Sequence, residues 1–325
     1  MRSPRLSVKL LLVNTELTDS PKAAARFIRS GGIVAFPTET VYGLGADIFD
    51  PAAVAKIFEA KRRPADNPLI AHVGDLDQVE QLAREMPTSA ARLIEVFFPG
   101  PLTVVLKKSG RVPAIATAGL NTIGIRMPGN KLANEFLREC ATPVAAPSAN
   151  ISGRPSPTTW RAVFEDLDSR IDCILQGEPT DIGLESTVVD CTVDPPLVLR
   201  SGAVLLESLR KVVPGTAVYR ANDTSVPRSP GMRHKHYAPR ADVLLVEKLP
   251  DAYELENAAY IGLERPAGEV GSLLICGSIE DYARRVFAFF RDCDNEGIER
   301  IYCQTVPEAG LGVALMDRLR RAASG

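Results

Sequence analysis

Apolar and polar positions along the chain switch repeatedly between two periods. Short apolar runs of the strand kind recur at IVAF (33–36), LIAHV (69–73), LTVVLKK (102–108), TIGIRM (122–127), PVAAPS (143–148), near 171–175, at 187–191 and at 197–199. Between them lie helical stretches. One covers 23–28 and stops at Gly31-Gly32; a second opens at Asp50-Pro51, an N-cap followed by proline at the first helical position. Two amphipathic stretches precede Pro99, one is expected to start at Ser156-Pro157, and one spans 204–212. This predicts an α/β fold without a regular βαβ count, so the first part does not read as a Rossmann domain. After position 240, VLLV, AAYIGL, SLLICG and ERIYCQ alternate with helical segments such as IEDYARRVFAFFRD, which predicts a smaller α/β unit with a parallel sheet. Four prolines among polar residues mark 214–240 as a connection. The expected division is therefore 1–213, a linker at 214–240, and 241–325.

Composition narrows the field. At 325 residues, 45% hydrophobic, the chain is long enough for two cores, and its net charge of −2 gives no global pull toward nucleic acid or an anionic membrane. Six scattered cysteines without a C-x-x-C pair and only three histidines argue against a structural zinc site. With no secretory signal and no apolar run near the roughly 20 residues that span a bilayer, a cytoplasmic protein without membrane contact is expected. Phosphate-loop signatures are missing: GLG at 43–45 and at 310–312 lacks a third glycine, and there is no nucleophile elbow or H-E-x-x-H. A nucleotide would have to be held by side chains and helix ends.

Several stretches could do this. PTETVYGLG (37–45) follows a buried-looking strand and puts Thr38 and neighbouring hydroxyls on a loop, where they serve either a ligand or the loop's own backbone. In AKRRPADNPL (60–69), Pro64 ends the helix near Lys61. If the chain is then extended, Lys61 and Arg63 point to one side, toward one anion; the alternative is a solvated charge run favoured by the helix dipole. PSANISGRPSPTTW (147–160) places Ser148 and Asn150 where a phosphate or ribose could sit, with Ser156 as the expected cap of the next helix. Ser186 sits at the mouth of a strand, and Arg126 and Arg200 each end one. SPGMRHKHYAPR (229–240) carries His234, His236 and Tyr237, more aromatic than a spacer needs, and is expected to pack back over the first domain.

In order and spacing these segments resemble the Sua5/YrdC family of tRNA-modification enzymes. The matching motifs are FPTETVYGLG, KRRPADNPLIAHV, FFPGPLTVVLKK, TAGLNTIGIRMP, PVAAPSANISGRPSPT, GLESTVVD and VLRSG, with SPGMRHKHYAP similar to the linker of the long, two-domain form and GLGVALMDRLRRAAS to its end segment. The resemblance implies a YrdC-like twisted mixed sheet with flanking helices and a cationic cleft, followed by a small Rossmann-like C-terminal domain. It implies synthesis of L-threonylcarbamoyl-AMP and pyrophosphate from L-threonine, bicarbonate or CO2, and ATP with Mg2+ held mainly by the phosphates rather than by protein ligands. The product would serve a separate threonylcarbamoyl transferase complex that forms N6-threonylcarbamoyladenosine in tRNA; weak RNA contact by this chain stays open.

Carried over onto this sequence, Lys61 and Arg63 would be catalytic and hold the ATP phosphates. Thr122, Ser148, Asn150, Ser156, Arg200, His236 and Tyr237 would complete the ATP site. Thr38, Asn67, His72, Arg126, Ala146 and Ser186 would bind threonine, Arg126 as partner of its carboxylate. His236 and Tyr237 would act as a lid. A nucleic-acid-binding module and the carbamoyl-adenylate chemistry of hydrogenase maturation are the competing readings. The net charge speaks against the first, and the lack of C-x-x-C pairs against the second.

Overall fold

The computed structural model describes residues 14–219, 237–248, 257–266 and 269–324. In chain order the first part comprises β1 (Glu16–Thr18), α1 (Pro21–Arg29), β2 (Val34–Phe36), β3 (Gly43–Asp47), α2 (Pro51–Lys61), β4 (Ile70–His72), α3 (Asp77–Leu82), α4 (Thr88–Phe97), β5 (Leu102–Lys107), β6 (Thr122–Arg126), α5 (Lys131–Cys140), β7 (Val144–Ala146), α6 (Trp160–Leu167), β8 (Cys173–Leu175), β9 (Thr187–Asp190), β10 (Leu197–Arg200), α7 (Leu206–Val212) and β11 (Ala217–Val218). The second part comprises β12 (Asp242–Val246), β13 (Ala258–Gly262), β14 (Ser272–Ile275), α8 (Ile279–Glu296), β15 (Arg300–Gln304) and α9 (Gly312–Ala323).

Helix starts follow the local chemistry. Ser20 and Asp50 accept hydrogen bonds from first-turn amides and are each followed by proline, so α1 and α2 begin where caps and a preset φ coincide. One expected start is corrected. Ser156-Pro157 does not cap a helix: α6 begins at Trp160, with Thr159 accepting from the Ala162 amide. GLG at 43–45, which lacks the third glycine of a phosphate loop, belongs to strand β3, antiparallel to β2.

The strands of the first part form one mixed sheet in the order β1-β8-β2-β3-β7-β4-β6-β5-β9-β10-β11. Alternation splits it into two faces. Val34 and Phe36 pack with α1 and α5 through Ala24, Ala25, Ile28, Phe136 and Leu137. Ile33 and Ala35 face the larger core with α2, α4, α6 and α7. The second part is a parallel sheet in the order β12-β15-β13-β14, packed by α8 and α9. Its core extends into the first part through Val41 and Leu184, with Tyr237 also buried in it. Residues 217–218 pair with β10, so the segment expected to be a linker starts as sheet; 220–236 lie outside the described residues.

The contact between the two parts is close enough to require glycine at one point. Gly183 has φ +80°, and a Cβ there would stand 2.4 Å from Arg284 Cα and 2.6 Å from its carbonyl oxygen on α8. Left-handed strain and overlap with backbone therefore act together. Gly183→Ala is expected to cost roughly 2–4 kcal/mol and to loosen α8 from the first part, read out by denaturant unfolding.

Candidate functional site

A cleft of about 700 Å3, open mouth included, lies on the same face of the large sheet as α1 and α5, beside the part that those helices cover. Its floor comes from strand residues that alternate onto this face: Gly43 of β3, Ile70 and His72 of β4, Arg126 of β6 and Ala146 of β7. The register Ile70↔Ala146 and His72↔Arg126 places them side by side. The site thus occupies a sheet face, and His72, Arg126, Ala146 and Arg200 are the last residues of β4, β6, β7 and β10, so strand ends contribute as well.

One wall is the loop 37–42. Arg126 donates to Thr40 Oγ1 at 2.8 Å, Thr40 Oγ1 lies 2.8 Å from Thr38 Oγ1, and Thr38 donates to the Val41 carbonyl at 2.7 Å. Glu39 holds the other side of the same guanidinium at 2.8 Å. The Thr38 hydroxyl therefore ties its own loop and reaches a buried cation only through Thr40. His72 packs edge-on to Phe36 at 5.6 Å, with Nδ1 3.3 Å from the Ile70 carbonyl. Burial pushes its pKa down to about 3, helped by Arg126, so the imidazole is neutral across the physiological range.

The second wall is the 147–156 segment, and Lys61 builds it. Its Nζ donates to the Ser148 carbonyl at 2.6 Å and to the Asn150 carbonyl, with Asn150 Oδ1 at 3.4 Å. Lys61 is 1% exposed and does not line the cleft; burial, with Arg63 adding, pushes its ammonium well below the ordinary lysine value. The expected extended stretch after Lys61 is corrected: Arg62 is left-handed at φ 52° and caps α2, which turns Lys61 under the wall and Arg63 toward the opening. Arg63 donates to the carbonyls of Asn67 and Pro68 at 3.4 and 3.3 Å, and burial lowers its pKa to about 10, leaving it charged at neutral pH. Asn67 is buried beneath that loop and does not line the cleft. Ser148 Oγ donates to Asn150 Oδ1 at 2.6 Å, and Asn150 Nδ2 donates to the carbonyls of Ile151 and Arg154 at 2.9 and 2.8 Å. Asp166 fastens the far end, accepting from the Ile151 amide at 3.2 Å and from Arg154 at 2.5 Å.

On the third side, Arg200 donates from Nε to the Ser186 carbonyl at 3.1 Å and from Nη2 to Ser186 Oγ at 3.2 Å, while Thr103 meets the same hydroxyl at 2.8 Å. Ser156 donates to Glu185 Oε1 at 2.6 Å in place of its expected capping role. Tyr237, left-handed at φ 68°, lines the cleft and stacks on Phe287 of α8 at 5.3 Å. His236 lies outside the described residues. Thr122, expected near the nucleotide, stands at the first position of β6 and lines a separate small cavity that shares only Pro68 and Ile70 with the cleft.

Sequence reasoning missed Arg154, which lines the cleft, and two buried pairs that shape it. Arg318 of α9 donates to Glu185 Oε2 at 2.9 Å and to the Ser201 carbonyl at 3.0 Å; Arg291 of α8 pairs with Asp166 at 2.9 Å and bonds the Pro155 carbonyl. A signal existed. Arg318 falls on the stripe of Ala314, Leu315, Leu319 and Ala322, and Arg291 on that of Phe287 and Phe290, where a cation needs a buried partner. The result is a cleft lined by Arg63, Arg126, Arg154 and Arg200, whose one lining carboxylate among the described residues, Glu185, is already paired. Such a cavity suits polyanions. Among the described residues the six thiols are buried and none lines the cleft, and no three His, Cys, Asp or Glu side chains stand together as a metal site.

Comparison with known proteins agrees along the length of the chain. A Sua5/YciO/YrdC family model described as telomere recombination matches residues 26–202, and one described as the threonylcarbamoyl-AMP synthase C-terminal domain matches 204–324. The chain is 44% identical over 316 residues to the threonylcarbamoyl-AMP synthase of Pyrococcus abyssi, covering 93% of each, and 40% identical to that of Bacillus subtilis, covering 95% of this chain and 94% of the relative. The crystal structure of P. abyssi Sua5 complexed with L-threonine superposes with a TM-score of 0.88 at 41% identity, over 96% of this chain and 97% of that one.

The buried His72 sets a pH dependence. Its native pKa of about 3 lies below the unfolded 6.5, so from 6.5 down to 3 only the unfolded chain takes up this proton, and stability falls as pH falls. In denaturant titrations from about pH 7.5 to 4.5, His72→Gln should lose stability less steeply than the parent below 6.5, by up to about 1.4 kcal/mol per pH unit. Equal slopes for the two proteins would refute a neutral buried imidazole.

Proposed function

The chain belongs to the Sua5/YrdC family of threonylcarbamoyl-AMP synthases, and from that premise we propose that its cleft joins L-threonine, bicarbonate or CO2, and ATP into L-threonylcarbamoyl-AMP, releasing pyrophosphate. The observation that carries the reading at this site is the convergence of Arg63, Arg126 and Arg200 on one cleft with no nucleophile–base pair among its described lining residues. The chemistry asks for this. Threonine's amine and the carbon dioxide unit form a carbamate, and a carbamate oxygen attacks the α-phosphorus in line as pyrophosphate leaves. Both reactants are anions, so guanidiniums must offset their repulsion and stabilise charge on the phosphoryl group.

In this reading Arg63 meets the α-phosphoryl and triphosphate charge. Lys61 supports it from beneath, through the wall it holds, with Ser148, Asn150 and Ser156 shaping the nucleotide side and Arg200 flanking it. Arg126, fixed by Glu39 and Thr40, takes the threonine carboxylate, while Thr38, neutral His72, Ala146 and Ser186 surround the amino acid. Tyr237 closes the cleft against water, which would hydrolyse the mixed anhydride, and the family resemblance assigns His236, outside the described residues, to the same task. Asn67 orders the loop that carries Arg63, while Thr122 faces the neighbouring small cavity.

Magnesium fits as a companion of ATP. Glu39 and Glu185 are taken by Arg126 and Arg318, so the phosphates themselves would hold the ion, which would supply charge neutralisation on the leaving pyrophosphate. The product's lability favours rapid hand-over to a transferase that modifies tRNA in the cytoplasm. Among the described residues no helix is long and apolar enough to cross a membrane. An RNA-binding role draws no support from the cations, which are recessed in a cleft instead of spread along an exposed face.

Pyrophosphate release from ATP and Mg2+ tests the reading. It should require both L-threonine and bicarbonate, and fade with serine or valine. Release indifferent to threonine would assign the cleft to another carbamate chemistry. Arg63→Ala should lower kcat by about 10²–10³-fold with the fold intact, and near-normal turnover would remove Arg63 from the reaction.

A further inference from the structure

Glu185 is out of place in a cleft built for anions. It is buried at the lining, between the Ser156 hydroxyl and Arg200's strand, where an unpaired carboxylate would repel a triphosphate. What neutralises it comes from a distant part of the chain: Arg318, 1% exposed on α9, with Nε 2.9 Å from Glu185 Oε2. The same guanidinium lies 5.6 Å from the centroid of the Tyr237 ring and bonds the Ser201 carbonyl. It therefore touches three elements of the cleft: the Glu185–Ser156 wall, the turn after β10, and the closing tyrosine.

We propose that Arg318 is a positioning residue of the synthase site: by neutralising Glu185 and seating Tyr237 it makes the cleft competent for anions only while the C-terminal unit is docked. This rests on the synthase reading above and adds the origin of the cleft's charge balance. The groups facing Glu185 are Arg318 from α9, Arg200 from β10 with Arg126 beyond it, Ser156 from the second wall, and Tyr237, while Asp317 of α9 pairs with Arg318 on its other side. Burial alone would raise the Glu185 carboxyl, but Arg318 and Arg200, with the Ser156 hydroxyl, outweigh it and hold it below the usual carboxylate range. Without Arg318 the balance turns toward burial. At neutral pH Glu185 would then either draw Arg200 off Ser186 or stand as an uncompensated anion in the phosphate path.

The test uses the full-length chain and four variants: R318M, which keeps bulk without charge, R318K, E185Q and the double E185Q/R318M. Threonine-dependent pyrophosphate release and calorimetric ATP binding are followed across pH. The proposal expects R318M to raise the KM for ATP and lower kcat/KM by about 100-fold near neutral pH. That deficit should shrink as pH falls and Glu185 takes a proton. Neutralising its partner in E185Q/R318M should restore activity about tenfold over R318M, with R318K falling between R318M and the parent.

An R318M protein equal to the parent overturns the proposal, as does a deficit that is flat with pH and untouched by E185Q, which would mark Arg318 as a mere structural prop. Should R318M fail to fold, the charge-matched double variant carries the test: folded and active supports the proposal, folded and inactive refutes it. If the parent shows no threonine-dependent release, the synthase reading fails by itself. ATP affinity in the same variants then decides the inference, which a pH-dependent loss in R318M relieved by E185Q upholds and parent-like affinity rejects.

Discussion

Two arginines buried at the junction of the chain's two sheets govern the rest of the structure. Arg318 reaches Glu185 and Arg291 reaches Asp166, with side-chain exposures of 1% against 9% and 5% against 0%. Ion pairs this deep differ from surface pairs, whose worth is about 0–1 kcal/mol. Removing one partner leaves a charge with no water and costs about 3–5 kcal/mol, so each carboxylate commits the other element to its place. Neither pair is a purchase of stability in itself, since apolar residues of similar size could fill the same space. What the pairs contribute is register: they set which face of α8 and α9 meets the first part, and at what depth.

That register propagates into the cleft. Asp166, held by Arg291, in turn holds the Ile151 amide and Arg154, so the 147–156 wall is stretched between Asp166 at one end and Lys61 at the other. Glu185, held by Arg318, fixes Ser156. Opposite them, Glu39 and Thr40 fix Arg126. Arg126, Ser156 and Glu185 are thus each held by a partner inside the protein before any ligand arrives. Such pre-organisation is what a reaction between two anions needs, because mobile cations would have to reorient at the moment of phosphoryl transfer. The buried carboxylates that share the site therefore act as anchors for guanidiniums and leave the net field positive.

The elements were legible where local signals agree. Asp50-Pro51 fixed the start of α2 because cap and proline act within one turn, and the apolar runs became β2, β4 to β7, β8, β9 and β10 with ends shifted by a residue or two. The errors fell where distant partners override local preference. Ser156-Pro157 has the chemistry of a cap, yet Glu185 claims the hydroxyl from 29 residues away. The Arg62 reversal was hidden because a left-handed cap at arginine has no composition signal. Lys61 reads as an exposed cation in a basic run, and only the three oxygen atoms of the 147–156 loop explain its burial. Thr122 begins a strand as expected, but which cavity it faces depends on how β5 and β6 pair.

By itself, then, the sequence determined the α/β class, the order of elements, the parallel second sheet and the motifs that carry the family resemblance, because caps, periodicity and short loops act over a few residues. It also marked most of the side chains that line the cleft. Only the tertiary structure decided what those side chains do to one another. Arg126 is shared with Glu39, Lys61 is spent on carbonyls, and Arg318 and Arg291 cross from the far end of the chain to neutralise Glu185 and Asp166. Charge pairing is set by distance in space and by the loss of water around the pair, neither of which is written in neighbouring residues.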